Sequence, residues 1–290
     1  MQKEWQISTL YLVSNRNKKR FGGSKVRSLG LPSNPRTPEP SMIDLNCDLG
    51  EGFPDDAALM PLISSANIAC GYHAGDQDTM HRTIALALEH RVAIGAHPGF
   101  ADKANFGRLP MDLSPQQVYQ LILEQLILIA TIAKEEGGIL NHVKPHGALY
   151  NRAAQSPEWA QTIAKAVYDF DANLILFGLS GSHSIRAAKH VGLSTANEVF
   201  ADRSYQANGT LTPRHQVGAL IQDTHLCIAQ VTQMIEQGSV TTITGQNIPL
   251  QADTICLHGD GMHAISFAQA IRHALEAKKI VIQAPRPNKD

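Results

Sequence analysis

One local pattern recurs along this chain and limits the folds open to it. A short apolar run ends in a cluster of His, Asp, Lys or Arg flanked by Gly or Pro. It appears as Asn46-Cys47-Asp48-Leu49-Gly50-Glu51-Gly52, as Cys70-Gly71-Tyr72-His73-Ala74-Gly75-Asp76 and as Ala96-His97-Pro98-Gly99. It returns as Lys144-Pro145-His146-Gly147, Ala201-Asp202-Arg203 and His258-Gly259-Asp260-Gly261. The apolar runs read as strands over 42–46, 66–70, 91–95, 139–143, 173–177, 195–199 and 254–257, with later pieces at 239–243 and 280–282. Helical patterns lie between them at 76–89, 114–136, 157–169, 183–191, 217–236 and 262–277. Ser114-Pro115-Gln116-Gln117 forms a capping box with Pro at the first helical position, and Gly137-Gly138 ends that helix.

Strand–helix alternation predicts a largely parallel sheet covered by helices. About seven units suit a (β/α) barrel. In such a fold all strand C-termini point to one face, where catalytic sites are built. Each cluster alone has a bland reading. A Pro-His-Gly is usually a turn with a hydrogen-bonded imidazole, Asp76 suits a helix N-cap, and Glu51 suits a solvated surface position. His81, His90, His142, His190, His225 and His273 fall on helical or strand positions and are assigned no chemistry. A random scatter of turn histidines would populate both ends of the molecule, so six clusters in one positional class predict one pocket.

Charge divides the chain in two. Residues 1–41 hold 8 Lys+Arg and 2 acids, and the remaining 249 residues hold 17 bases and 24 acids. The first segment lacks periodicity and is rich in Gly, Ser and Pro toward its end. It is expected to be a disordered basic extension outside the native fold, with Met42 the working first residue. A transit peptide or a solvated basic arm are the other readings. Residues 42–290 are expected to form a single catalytic barrel domain.

The overall net charge of −1 removes the electrostatic reason to expect nucleic acid or an anionic membrane as partner. No apolar run approaches a membrane span. Cys47, Cys70, Cys227 and Cys256 show no C-x-x-C spacing and read as reduced, buried thiols of a cytoplasmic protein. Asp48, His73, His97, His146, His258 and Asp260 would suit a His/carboxylate-bound divalent ion, but no H-E-x-x-H signature, Walker ending or G-x-S-x-G elbow occurs, so no tightly bound transition metal, phosphate loop or serine nucleophile is expected.

These motifs resemble the LamB/YcsF family of 5-oxoprolinase A subunits. The resemblance runs from Ile43-Asp44-Leu45-Asn46-Cys47-Asp48 through Asn67-Ile68-Ala69-Cys70-Gly71-Tyr72-His73 and Gly95-Ala96-His97-Pro98-Gly99. It continues through Asn105-Phe106-Gly107-Arg108, His142-Val143-Lys144-Pro145-His146-Gly147 and Phe200-Ala201-Asp202-Arg203 to Leu257-His258-Gly259-Asp260. Leu109 departs from it, standing where a second Arg is common, as does Asn208-Gly209 in place of Asp-Gly.

The resemblance implies a barrel, usually seven-stranded, related to polysaccharide deacetylases. It implies ATP-dependent opening of 5-oxo-L-proline to L-glutamate, with Mg2+ on the nucleotide and with partner subunits B and C. For that chemistry Lys144, Arg203 and Arg214 are assigned to anion binding. Asp48 or Asp202 with His73 or His146 forms the acid/base pair, and Asn46, His97, His258 and Asp260 line the substrate pocket. A stand-alone metal-dependent deacetylase or amidohydrolase, and a protein that only presents a lactam or sugar to a partner, are the competing functions.

Overall fold

The computed structural model describes residues 42–258 and 264–287. The expected extension at 1–41 and the pocket residue Asp260 lie outside the described residues. Seven strands make the frame: β1 (Met42–Leu49), β2 (Ser65–Ala69), β3 (Ala93–His97), β4 (Leu140–Val143), β5 (Ile175–Leu179), β6 (Ser194–Phe200) and, after a small antiparallel hairpin of β7 (Ser239–Thr241) with β8 (Asn247–Pro249), β9 (Thr254–His258). All neighbouring pairs of the seven are parallel. The sheet closes because β9 pairs with both β6 and β1, Asp44 lying opposite Thr254 and Asp48 opposite His258. A short β10 (Val281–Ile282) extends the sheet beside Met42 and Ile43 at the start of β1.

Helices α1 (Asp56–Leu59), α2 (Gln77–His90), α3 (Pro115–Glu135), α4 (Gly147–Gln155), α5 (Pro157–Phe170), α6 (His183–Val191), α7 (Thr224–Gln237) and α8 (Ala264–Ala277), with short 3-10 turns at Met60–Leu62 and Lys103–Asn105, complete the described elements. The period of two in β1 explains how the barrel divides its contents. Ile43, Leu45, Cys47 and Leu49 belong to the main apolar core, each large aliphatic contributing about 1.5–3 kcal/mol on burial. The intervening Asp44, Asn46 and Asp48 make polar contacts to residues of other barrel strands and loops.

Local signals set most helix ends. Asp76 accepts from the Thr79 N–H at 2.8 Å and caps α2, so the bland reading of that residue holds. Ser114 and Gln117 form the expected capping box of α3. Three expectations fail in detail. The strand expected at 91–95 starts at Ala93, because Arg91 adopts φ 57° to close α2. Helix α4 is unexpected, because Pro145-His146-Gly147 reads as a turn, yet Gly147 at φ 54° turns the chain directly into a helix. The helix expected from 217 begins at Thr224, capped by Asp223. The preceding residues form the β6 exit loop, where the Ser204 N–H donates to the Ala219 carbonyl and that of Ile221 to the Asp202 carbonyl.

Candidate active site at the C-terminal mouth of the barrel

The strand ends converge on a cavity of ≈ 480 Å³ whose lining includes Asp48, Glu51, His97, Lys144, His146 and His258. Arg108, Arg203 and Arg214 also reach it. The floor is a buried polar layer. Asn46 donates from Nδ2 to Thr254 Oγ1 at 2.7 Å and to Glu198 Oε1 at 3.1 Å. Asn67 donates from Nδ2 to Asn46 Oδ1 and Asp48 Oδ1 at 2.7 and 2.8 Å. His142 Nε2 lies 2.8 Å from Asn67 Oδ1 and its ring stacks on Phe177. Burial holds that imidazole down to about 3, so it is a neutral donor in the core. Each polar atom satisfied here removes a desolvation penalty of about 1–3 kcal/mol.

Above this layer Lys144 Nζ sits between two carboxylates, 2.7 Å from Asp48 Oδ1 and 2.8 Å from Glu198 Oε1. It also donates to Cys256 Sγ at 3.0 Å. Burial opposes its charge, but Asp48 and Glu198 outweigh burial and raise the ammonium well above its ordinary value. For Asp48, burial again opposes the charge, and positive charge at the His97 ring and on Lys144 overcomes it and holds the carboxyl well below the usual range. Lys144 is therefore a fixed cation and Asp48 a fixed anion, too weak a base to accept protons near neutral pH.

On one flank three imidazoles surround Glu51. His73 Nε2 lies 3.2 Å and His146 Nδ1 3.3 Å from Glu51 Oε1. His146 Nδ1 is 2.9 Å from His97 Nε2, and His73 stacks on His146 with ring centroids 3.8 Å apart. Burial pushes His73 down to about 2 and His146 well below its ordinary value. Glycines make this packing possible. A Cβ on Gly99 would stand 2.5 Å from His73 Nδ1, and one on Gly107 2.8 Å from His73 Cβ.

On the other flank His258 Nδ1 lies 2.9 and 3.0 Å from the two oxygens of Asp202. Burial raises the Asp202 carboxyl, but His258, Arg203 and Arg214 lower it more, so Asp202 is ionised. Its loop is pinned from α7, where Gln230 Nε2 donates to the Phe200 and Arg203 carbonyls at 2.9 Å.

The structure thus gathers Asp48, His97, Lys144, His146, Arg203, Arg214 and His258 around one cavity. Asn46 lies beneath Lys144, accepting from Nζ at 3.3 Å. Asp202 stands behind His258, and His73 behind His146. Two of the three residues assigned to anions are already engaged: Lys144 by its carboxylates, and Arg203 by the Thr212 and Ala219 carbonyls. Arg214 is exposed at the mouth. Sequence reasoning passed over Glu51, Asn67, His142 and Glu198. Glu51 is buried rather than solvated. A glutamate in the middle of the apolar strand at 195–199 was the available signal for Glu198. His142 and His146 stand four residues apart but serve different places, one in the barrel interior and one in the Glu51 cluster.

All four cysteines are buried and unpaired in disulfides. Burial raises every thiol, Cys70 and Cys227 to about 12, which disfavours a thiolate nucleophile.

A closed seven-stranded parallel barrel with acids, imidazoles and a lysine at its strand C-termini has the layout of a (β/α)-barrel enzyme. The chain belongs to the LamB/YcsF family, whose model matches residues 43–289. It is 51% identical over 247 residues to the 5-oxoprolinase A subunit of Brevibacillus brevis, covering 83% of this chain and 97% of that one. The crystal structure of a lactam utilization protein from Thermus thermophilus superposes with a TM-score of 0.79 at 39% identity, covering 84% of this chain and 100% of that one. The catalytic domain of a peptidoglycan N-acetylglucosamine deacetylase from Eubacterium rectale is a more distant neighbour. Its TM-score is 0.48 at 11% identity, covering 88% of this chain and 94% of that one. No helix among the described residues is long and apolar enough to cross a membrane.

Proposed function

We propose that this chain is the A subunit of a cytoplasmic 5-oxoprolinase, opening 5-oxo-L-proline to L-glutamate with ATP and with partner subunits B and C. The observation that carries the reading is the 51% identity, over 97% of the relative's length, to a 5-oxoprolinase A subunit.

The chemistry sets what the site must supply. A five-membered lactam is a poor electrophile. Transfer of the γ-phosphoryl group of ATP to the amide oxygen makes the carbonyl carbon reactive. Water then adds to that carbon, the C–N bond breaks with a proton delivered to nitrogen, and a second water releases phosphate from the acyl phosphate. The products are L-glutamate, ADP and phosphate. Mg2+ would accompany the nucleotide and offset phosphate charge.

Within this scheme His258 is the base for water. Asp202 holds its Nδ1–H and leaves Nε2 as the acceptor, an arrangement that also stabilises the imidazolium formed. Lys144 supplies a fixed positive charge from a buried position, where it acts on a developing oxyanion more strongly than a fully solvated cation would. Asp48 and Glu198 hold that charge in place. Arg214, exposed at the mouth, is a cation open to phosphate, and Arg108 also lines the cavity. Reconstitution with subunits B and C, followed by assay of L-glutamate and ADP, tests the proposal. ATP-dependent glutamate formation that needs this chain and falls on Lys144→Ala or His258→Ala is expected. Formation that is equally fast without the chain overturns it.

A further inference from the structure

The flank opposite the Asp202–His258 pair contains an electrostatic conflict. His97 Nδ1 lies 2.7 Å from the Lys144 backbone oxygen, so Nδ1 carries the proton and donates to it. His146 Nε2 lies 2.9 Å from the Phe106 oxygen and donates likewise. In a neutral imidazole the remaining nitrogen is an acceptor. With both rings neutral, His97 Nε2 and His146 Nδ1 point lone pairs at each other across 2.9 Å, and Asp48 Oδ2, a further acceptor, lies 3.3 Å from His97 Nε2. Glu51 Oε1, another acceptor, lies 3.3 Å from His146 Nδ1 and 3.8 Å from His97 Nε2. His73 Nε2 lies 3.2 Å from the same oxygen. One ligand atom from each of these four buried residues falls within 4.8 Å of every other.

Acceptors crowded in this way need a positive charge among them. A proton would settle one pair of atoms, whereas four donor groups converge. We propose that Glu51, His73, His97 and His146 form a binding site for one divalent first-row transition ion.

Three features support an ion over a proton. Ligands about 2.05 Å from a metal in a tetrahedral shell lie roughly 3.3 Å apart, and the four separations among these residues, from 2.9 to 3.8 Å, bracket that value. Two of the imidazoles donate their far N–H to a backbone carbonyl, the usual way a protein fixes the tautomer of a ligating histidine. Glu51, His97 and His146 also border the cavity, so an ion there is reachable from solvent and from substrate. Three imidazoles with one carboxylate suit Zn2+, Co2+ or their neighbours over Mg2+ and Ca2+, which favour all-oxygen sites. His73 is the weakest of the four. Its Nδ1 is buried without a hydrogen-bond partner among the described residues, so packing alone orients its ring. The site departs from the sequence-based expectation that no transition metal is held. It also stands apart from the lactam reading, because ion binding is measured without substrate.

The full chain, stripped with a chelator, is titrated with Zn2+ by calorimetry and with Co2+ by visible absorption. One equivalent is expected to bind in the micromolar range or tighter, unaffected by millimolar Mg2+. His97→Ala and the shape-conserving Glu51→Gln should each weaken binding by about 100-fold or more, with circular dichroism confirming their fold. His81→Gln is the control, because His81 pairs with Glu135 and Glu136 on the surface and could hold an adventitious ion. Absence of stoichiometric binding overturns the proposal. So does a folded Glu51→Gln or His97→Ala protein with wild-type affinity, or an equivalent lost only in His81→Gln.

Discussion

Asp202 approaches His258 Nδ1 with both carboxylate oxygens, at 2.9 and 3.0 Å. The two residues come from the ends of different strands, β6 and β9, 56 positions apart. Such a contact fixes one tautomer of the imidazole and leaves Nε2 as the acceptor of a ring that lines the cavity. Asp202→Asn keeps the shape but loses the charge and can hold the ring in the other tautomer. Turnover in the reconstituted complex is expected to fall by about 10²–10⁴-fold with little change in melting temperature. A variant of wild-type turnover would remove His258 from the proton-transfer role.

Lys144 neutralises Asp48 and Glu198, and all three side chains are buried. Its loss leaves two buried carboxylates facing each other without a cation. Lys144→Met should destabilise the fold by about 3–5 kcal/mol, read from chemical denaturation. The double variant Lys144→Met/Glu198→Gln should recover part of that loss while remaining inactive, which separates charge balance from catalysis.

Asp44 gives a pH signature away from the cavity. It accepts from Ser64 and Ser65 at Oδ1 and from Thr254 at Oδ2, yet burial outweighs these bonds and raises it from 3.8 to about 6. A carboxyl that binds its proton more tightly when folded loses stability as pH rises from the unfolded pKa through the folded one. Asp44→Asn carries no such charge. Relative to it, the wild type should lose up to roughly 3 kcal/mol between pH 4 and pH 7. Parallel denaturation curves for the two proteins across that range would contradict the assignment.

Gly95 tests the close packing of the barrel interior. A Cβ there would overlap the His142 ring at Nε2, the atom bonded to Asn67. Gly95→Ala should cost about 3 kcal/mol by overpacking and by breaking that bond, seen as a lowered denaturation midpoint. Gly52→Ala meets nothing within 4 Å and should show only the smaller cost of its φ of 92°.

The barrel, the order of its elements and the convergence of His97, Lys144, His146 and His258 were legible in the order of residues, because they rest on short-range physics. Alternation in β1 separates Leu45 and Cys47 from Asp44, Asn46 and Asp48, caps such as Asp76 and Ser114 start helices, and parallel strands must end on one face. What each side chain does there came from the closed barrel. Glu51 looks like an ordinary surface acid, and Glu198 like an acid out of place in an apolar strand, until closure buries both. Asp202 and Arg203 are neighbours in sequence, but one holds an imidazole and the other directs its donors to loop carbonyls. Desolvation and partner choice depend on the distance between atoms of distant residues. Lys144 and Glu198, far apart in the chain and 2.8 Å apart in space, acquire their roles only when the strands that carry them close into one barrel.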